Sequence, residues 1–384
     1  MTKIHQSTGL SISYGDPVWR SGRRDILGSL TKEISEYSHK LSSFLGSASC
    51  EIGFLAKPED LNEWAAEGLG RTINTSDHYG VGIWEGFVNE IYCTQGGTQI
   101  KIGPLLEIGN RIRAVYDEID TSSTPPTALG RTETTIAEDL RSQARYGVLE
   151  QIISVGQVET TLAEQLRDSH LRIRKSAKSS LTINLDEVSE PKISLSCLGL
   201  GDLLDVYIYE SLAGSGTQTV TDRIKDILAS DPNGLFLIER VQENLFAVQE
   251  FEGDYPTGLS SLKELVTIGD ANDDRWVMYI KPGREFVYRP AGTQIDYTWS
   301  VVENTMRNRA GNEIMPWTVE AGRWLRIKDF MTGVPNPDDI YEDTRAVFLE
   351  AVHFSAPNQI TFEGGYVNTI TQWLAKLGLG GSFI

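Results

Sequence analysis

Residues 142–171 read SQARYGVLEQIISVGQVETTLAEQLRDSHL, and their reading decides how the rest of the chain is understood. The stretch begins inside TTIAEDLRSQARYG (134–147) and ends inside TTLAEQLRDS (160–169), two segments that open with nearly the same letters. Thr135 with Glu138, and Thr161 with Glu164, have the spacing of a capping box, in which a hydroxyl and a carboxylate satisfy the first free amides of a helix. Ile136 and Leu140 share one face of the first predicted helix, while Leu162, Leu166 and Ile173 form the apolar stripe of the second. Gly147 suits the left-handed backbone that ends a helix, and VLEQIISV (148–155) between the two reads as a strand. The predicted order is helix, glycine stop, strand, helix. The echo covers a single helical start, far short of the ~20–50-residue period of a repeat architecture, so it marks no duplication.

Working outward, 384 residues predict two to four compact units. Hydrophobic residues make up 40% and charged residues 23%, enough to build cores. The formal charge is −18, from 53 acidic and 35 basic side chains. Such a surface repels phosphate and argues against sequence-specific nucleic-acid binding; Arg20, Arg23 and Arg24 in VWRSGRRD are read as a solvated turn or a partner contact. Three scattered cysteines, Cys50, Cys93 and Cys197, support neither a disulfide framework nor a zinc knuckle, and read as small buried apolar side chains. The N-terminus lacks the apolar core of a secretory signal, and nowhere do some 18 apolar residues run together, so a soluble, cytoplasmically made protein is expected.

Before the opening stretch, 31–56 alternates as strands do, DLNEWAAEGLG (60–70) predicts a short helix, and GIWEGFVNEIYCTQGGTQIKIG predicts a β-hairpin turning at Gly96-Gly97. LLEIGN is a short connecting segment, and a strand follows through Arg111–Ile119. DTSSTPPTALGRTE (120–133) has the composition of a linker. After it, SLTINL, ISLSCLGLGDLLDVYIYE, GLFLIERV and ENLFAVQEF read as strands, TVTDRIKDILAS and SSLKELVTIGD as helices. In DRWVMYIKPGREFVYRP, Trp276, Met278 and Ile280 face one way and Val277 and Tyr279 the other before a turn at Pro282-Gly283. ENTMRNRAGNE (303–313) reads as a loop. GRWLRIKDF, RAVFLEAVHFSAP and NQITFEGG are final strands, and TITQWLAKLGLGG a terminal helix stopped at Gly378. The expected fold is therefore α+β and β-dominated: several barrel-like or sandwich-like β domains joined by short helices. The expected divisions are a first β-rich domain (1–120), a linker with the helix–strand–helix segment (121–181), a second β-rich domain (182–302) and a C-terminal β-rich segment with a terminal helix (303–384).

Sites for chemistry are sparse. His5, His39, His78, His170 and His353 are scattered, with no zinc-binding spacing. GDANDDRW places Asp270, Asn272 and Asp274 like a calcium loop, but Arg275 stands where the loop needs glycine and Lys281 where it needs a bidentate glutamate, so a polar turn is expected. AGSGTQTVTDRI lacks the Gly-Lys-Ser/Thr of a phosphate loop, and no nucleophile elbow is present. NPDDIYEDT pairs Asp338 with Glu342 and Asp339 with Asp343 at i,i+4, a geometry usable for acid–base work or cation binding, but Asn336 as cap, Pro337 at the first helical position and acids in the first turn make a helix start the stronger reading. Trp84, Trp276, Trp299, Trp317, Trp324 and Trp373 could stack on sugars, although most lie in apolar patterns typical of cores. No catalytic, metal or cofactor residue is assigned, and an enzyme is not expected.

The 142–171 stretch resembles a segment common in phage tail hub and tail-tip proteins, where a polar helix leads to Tyr-Gly, then to a strand, then to a helix opened by threonine and acidic residues. The matching residues are Ser142, Tyr146, Gly147, Thr160, Thr161, Ala163 and Glu164. WEGFVNEIYCTQGG, with Trp84, Gly86 and Phe87, is similar to the first β unit of such proteins, and GREFVYRP and FLEAVHFSAP share its character. The resemblance implies a structural virion protein: a baseplate hub or tail-tip component, assembled in the host cytoplasm into the virion tail. It implies a homotrimer or ring that adapts a sixfold tube to a threefold spike and contacts tube, spike and baseplate subunits. No lytic domain and no fibre-like repeat accompanies the β units, so cell-wall cleavage and receptor binding are not implied. An acidic ring would let DNA pass without sticking. Trp84, Arg145 and Tyr146 are the candidate interface residues, each with a core or capping role as the alternative. A carbohydrate-binding receptor protein of the tail tip is the second reading, and a glycoside hydrolase acting through the Asp338–Asp343 run the third.

Overall fold

The computed structural model describes residues 9–20, 26–30, 34–122, 124–125, 127–185, 189–209, 217–248, 256–272, 274–292, 294–328, 346–356 and 359–364. The acidic run at 336–344, the terminal helix at 369–381, Arg23, Arg24 and His5 lie outside them.

Alternating side chains build the first sheet. Its strands are β1 (Ser11–Pro17), β2 (Ile26–Ser29), β3 (Ile34–Ser42), β4 (Gly46–Leu55), β5 (Arg71–Ser76), β6 (Gly82–Gln95) and β7 (Thr98–Ile102). In β3 the inward positions Ile34, Tyr37, His39 and Leu41 are buried between exposed or half-buried neighbours. β2, β1, β5 and β6 pair antiparallel in that order, as do β3 and β4. The expected hairpin joins β6 to β7, and its turn glycines have φ of +56° and +78°, the left-handed backbone that a two-residue turn requires of both. The short helix expected at 60–70 runs Pro58–Glu67, with proline in its first turn, and packs Leu61 and Trp64 inward.

The opening stretch folds onto β8 (Arg111–Asp120). β9 (Thr127–Glu133) and β10 (Ala137–Glu138) pair antiparallel with successive parts of β8, and β11 (Glu150–Val158) pairs parallel to it. Half of the expected 120–133 linker is therefore a strand. β9 is exposed at almost every position, so it carries no apolar alternation to read. The first helix of the stretch is also shorter than expected. It runs Leu140–Tyr146 and is capped by Asp139, whose carboxylate accepts from the Ser142 amide at 2.9 Å, while Thr135 and Glu138 lie before it. Gly147 ends it at φ +75°. The second helix, Thr160–Arg174, inverts its expected faces: Ala163 and Arg167 are buried, while Leu162, Leu166 and Ile173 are exposed. Arg167 explains the inversion, because its Nη1 donates to the Thr135 carbonyl and hydroxyl at 2.8 and 2.9 Å, ending the segment's polar backbone against the helix.

β12 (Ser179–Ile183) pairs with β7, and β13 (Lys192–Gly199) enters between β4 and β6, antiparallel to both. Cys197 on β13 stands opposite Cys50 on β4; these two and Cys93 are buried free thiols, as read. Beyond a 3₁₀ turn at Leu200–Asp205, β14 (Gln218–Thr219), β15 (Leu237–Val241), β16 (Ala247–Val248), β17 (Trp276–Lys281) and β18 (Glu285–Pro290) follow, with helices at Val220–Ala229 and Gly258–Ile268. β17 and β18 form the expected hairpin, and Trp276, Met278 and Ile280 join the main core while Val277 and Tyr279 join a second apolar cluster on the opposite face.

The last strands are β19 (Tyr297–Ser300), β20 (Thr305–Asn308), β21 (Glu313–Ile314), β22 (Trp324–Lys328), β23 (Ala346–Ser355) and β24 (Gln359–Gly364). β20 and β21 form a hairpin where a loop was expected; Met306 is their only buried residue, which left the sequence reading as polar. β23 starts beside β22 and ends between β3 and β24, and so carries the last sheet into the first. The architecture is the expected β-dominated α+β fold. Among the described residues no helix is long and apolar enough to cross a membrane.

Candidate functional site: an arginine-lined cleft

Two of the three sequence candidates, Arg145 and Tyr146, line one cleft of about 560 Å³. Its walls are the end of β1, the end of the Pro58–Glu67 helix and the Leu140–Tyr146 helix. Trp84 takes no part in it. That residue is fully buried in β6, where its indole packs under Gly86, a position with no room for a side chain.

The cleft is assembled from local backbone needs. After β1 the chain turns so that the Val18 amide donates to the Gly70 carbonyl at 2.9 Å and the Arg20 amide to the Pro17 carbonyl at 2.9 Å. Those bonds present Arg20 on one wall and press Trp19 against Gly70. On the opposite wall, Asp139 holds the helix start, and its bond to the Lys175 ammonium keeps its carboxyl below the ordinary carboxylate range. Arg141 and Arg145, four residues apart on that helix, therefore project the same way. Arg145 donates from Nη2 to the Ala66 carbonyl at 2.6 Å, tying the two helix ends together, and its guanidinium lies 5.1 Å from the Tyr146 ring centre.

Arg71 lies beneath them, 4% exposed. Its Nη2 donates to Glu63 at 2.8 Å and lies 3.6 Å from Glu67, and its guanidinium stands over the rings of Trp64 and Tyr14 at 5.1 and 5.4 Å. Its Nη1 has no hydrogen-bond partner. A buried guanidinium with an unpaired N–H is costly unless some acceptor completes it. Arg20, Arg71, Arg141 and Arg145 thus converge on one cleft whose acidic lining residues are Asp16 and Glu67.

The Tyr-Gly turn behind the cleft is held by Asn110, which is fully buried. Its Nδ2 donates to the Gly147 carbonyl at 2.7 Å and to Ser142 Oγ at 3.3 Å, and its Oδ1 accepts from the Leu149 amide at 2.9 Å. From the other side, Asn233 accepts from the Val148 amide at 3.0 Å. Asn110, Arg71 and Arg141 escaped the sequence reading. Asn110 closes the unremarkable LLEIGN, and Arg71 follows Gly68-Leu69-Gly70 with nothing local to mark its burial.

The remaining candidates fall elsewhere. Asp270 accepts from the amides of Asn272 and Asp274 and from the Trp276 indole, the expected polar turn. Thr219 caps the Val220–Ala229 helix. Trp276 is buried, and Trp299, Trp317 and Trp324 pack against the cores. Among the described residues no group of three His, Cys, Asp or Glu side chains is placed to hold a metal.

No family model and no curated protein matches the chain. Among solved structures it is similar to the tail protein from Neisseria meningitidis MC58, at 8% identity and a TM-score of 0.41 over 91% of this chain and 92% of that one. It is also similar to the 43 kDa tail protein of prophage MuSo2 from Shewanella oneidensis, at 9% identity and a TM-score of 0.46 over 94% and 99%.

Proposed function

We propose that this chain is a non-enzymatic structural component of a phage tail, a baseplate hub or tail-tip protein that links the tube to the spike and lets DNA pass. The observation that carries the reading is the 142–171 segment. The residues that resemble those of tail hubs, from Ser142 through Tyr146-Gly147 to Glu164, form one helix–turn–strand–helix unit, wedged between the first sheet and Asn233. In such a part, function lies in subunit contacts spread over β-rich surfaces, with a homotrimer or ring as the assembly. The net charge of −18 fits a ring through which a phosphate backbone slides without adhering.

Imaging of purified particles, with this chain tagged and its copies counted, tests the reading. Three or six copies around the distal end of the tube are expected; copies confined to peripheral fibres, or none in the particle, would defeat it.

A further inference from the structure

We infer that the arginine-lined cleft is a binding site for the carboxylates of an acidic peptide segment of a partner protein. Four guanidinium groups meet there in a chain whose overall charge is −18. Arg20, Arg141 and Arg145 are exposed, and Arg71 lies buried beneath them, its unpaired Nη1 shielded from solvent. Guanidinium groups recognise planar carboxylates through paired N–H donors, so the cleft is lined by the kind of donor this ligand accepts.

The rest of the lining selects a peptide over a bare oxyanion. Leu27, Leu69, Ile102 and the Tyr146 ring supply apolar wall beside the arginines, which a phosphate ion leaves uncovered and a peptide's side chains fill. Leu27 is 51% exposed on β2, which among the described residues pairs with β1. The volume of about 560 Å³ admits a few residues and no folded domain. Asp16 and Glu67 flank the arginines and, with Glu63 on Arg71, keep the cleft from trapping every passing anion. This inference stands independently of the tail assignment.

Titration calorimetry of the whole chain with a hexaglutamate peptide, hexaglutamine and inorganic phosphate tests it. Hexaglutamate is expected to bind saturably at one site, more weakly as salt rises, with hexaglutamine inert. The double variant Arg141→Ala/Arg145→Ala, at two exposed positions, is expected to keep the wild-type circular dichroism and weaken binding by about tenfold or more, with Arg141→Lys/Arg145→Lys recovering part of it. Absence of hexaglutamate binding, binding unchanged in the alanine variant, or phosphate binding as tightly as the peptide would each overturn the assignment.

Discussion

Trp19 is seated on Gly70 so closely that a β-carbon at position 70 would stand 1.9 Å from the indole Cη2. The same indole meets the Tyr-Gly turn, where a β-carbon on Gly147 would lie 3.0 Å from Cγ. One aromatic ring therefore fills the space between two glycine backbones, one in the first sheet and one in the 142–171 segment. Both glycines have positive φ, +78° and +75°. Gly70→Ala combines a severe overlap with a strained backbone and is expected to destabilise the chain by about 3 kcal/mol or more. Gly147→Ala, with a lesser overlap, is expected to cost about 1–2 kcal/mol. Urea unfolding of the two variants checks the order; an equal or reversed ranking contradicts the packing described.

Asn110 supports the same turn by hydrogen bonds alone. Asn110→Ala removes its bonds to Gly147, Ser142 and Leu149 and leaves buried backbone groups unpaired, an expected loss of about 2–4 kcal/mol. Hydrogen exchange locates the damage: the Leu149 amide should lose protection before the amides of β13 do. Uniform loss across the chain would show that Asn110 has no local role.

His39 gives the first sheet an acid limit. Burial, with His353 nearby, lowers its pKa from the ordinary value to about 3. Its Nδ1 meets the Tyr37 hydroxyl at 3.0 Å, that hydroxyl donates to Thr75, and the ring packs on Phe354. The unfolded chain takes up this proton near pH 6.5 and the folded one only near 3. The stabilisation is thus whole above about pH 6.5 and declines by about 1.4 kcal/mol per pH unit as pH falls toward 3. His39→Phe should remove that part of the slope; a variant with the wild-type slope between pH 6 and 4 would assign the acid sensitivity to other groups.

Asp202 works in the opposite sense. Burial, together with Asp205, raises its pKa to about 6, against the opposing pull of Lys263. The folded state then favours the protonated form, so stability is greatest below the unfolded value near 4 and is lost as pH rises through about 6. Asp202→Asn is expected to raise the thermal midpoint at pH 7 and to match wild type at pH 3.5. A midpoint lowered at pH 7 would show that the carboxylate is held by an unrecognised partner.

Legibility in the sequence followed burial. The Gly96-Gly97 hairpin, the two-faced β17 strand and the Gly147 stop were all readable, because each couples a periodic apolar pattern to a residue with special backbone freedom. β9 and β20 were not: nearly all side chains of β9 face out, and β20 buries Met306 alone among polar neighbours. The Thr160–Arg174 helix misled in a different way: its leucine stripe reads as a core face, and only the three-dimensional partner of Arg167 shows which side is turned inward. At the cleft, Arg145 and Tyr146 were accessible as neighbours of the Tyr-Gly signature. Arg20, Arg71 and Arg141 come from three separate places, and no local spacing predicts their meeting.

The central place of β13 sets a schedule for synthesis. β4 and β6 leave the ribosome with the edges that face each other still unpaired, and the strand that fills the gap is translated only after the whole of the β8–β11 unit. Until Gly199 emerges, two apolar strands with open edges await their partner, the condition in which nascent chains pair with one another. Soluble yield should therefore depend on chaperone supply and elongation rate, and a chain cut just before Lys192 should aggregate although it contains most of the first sheet.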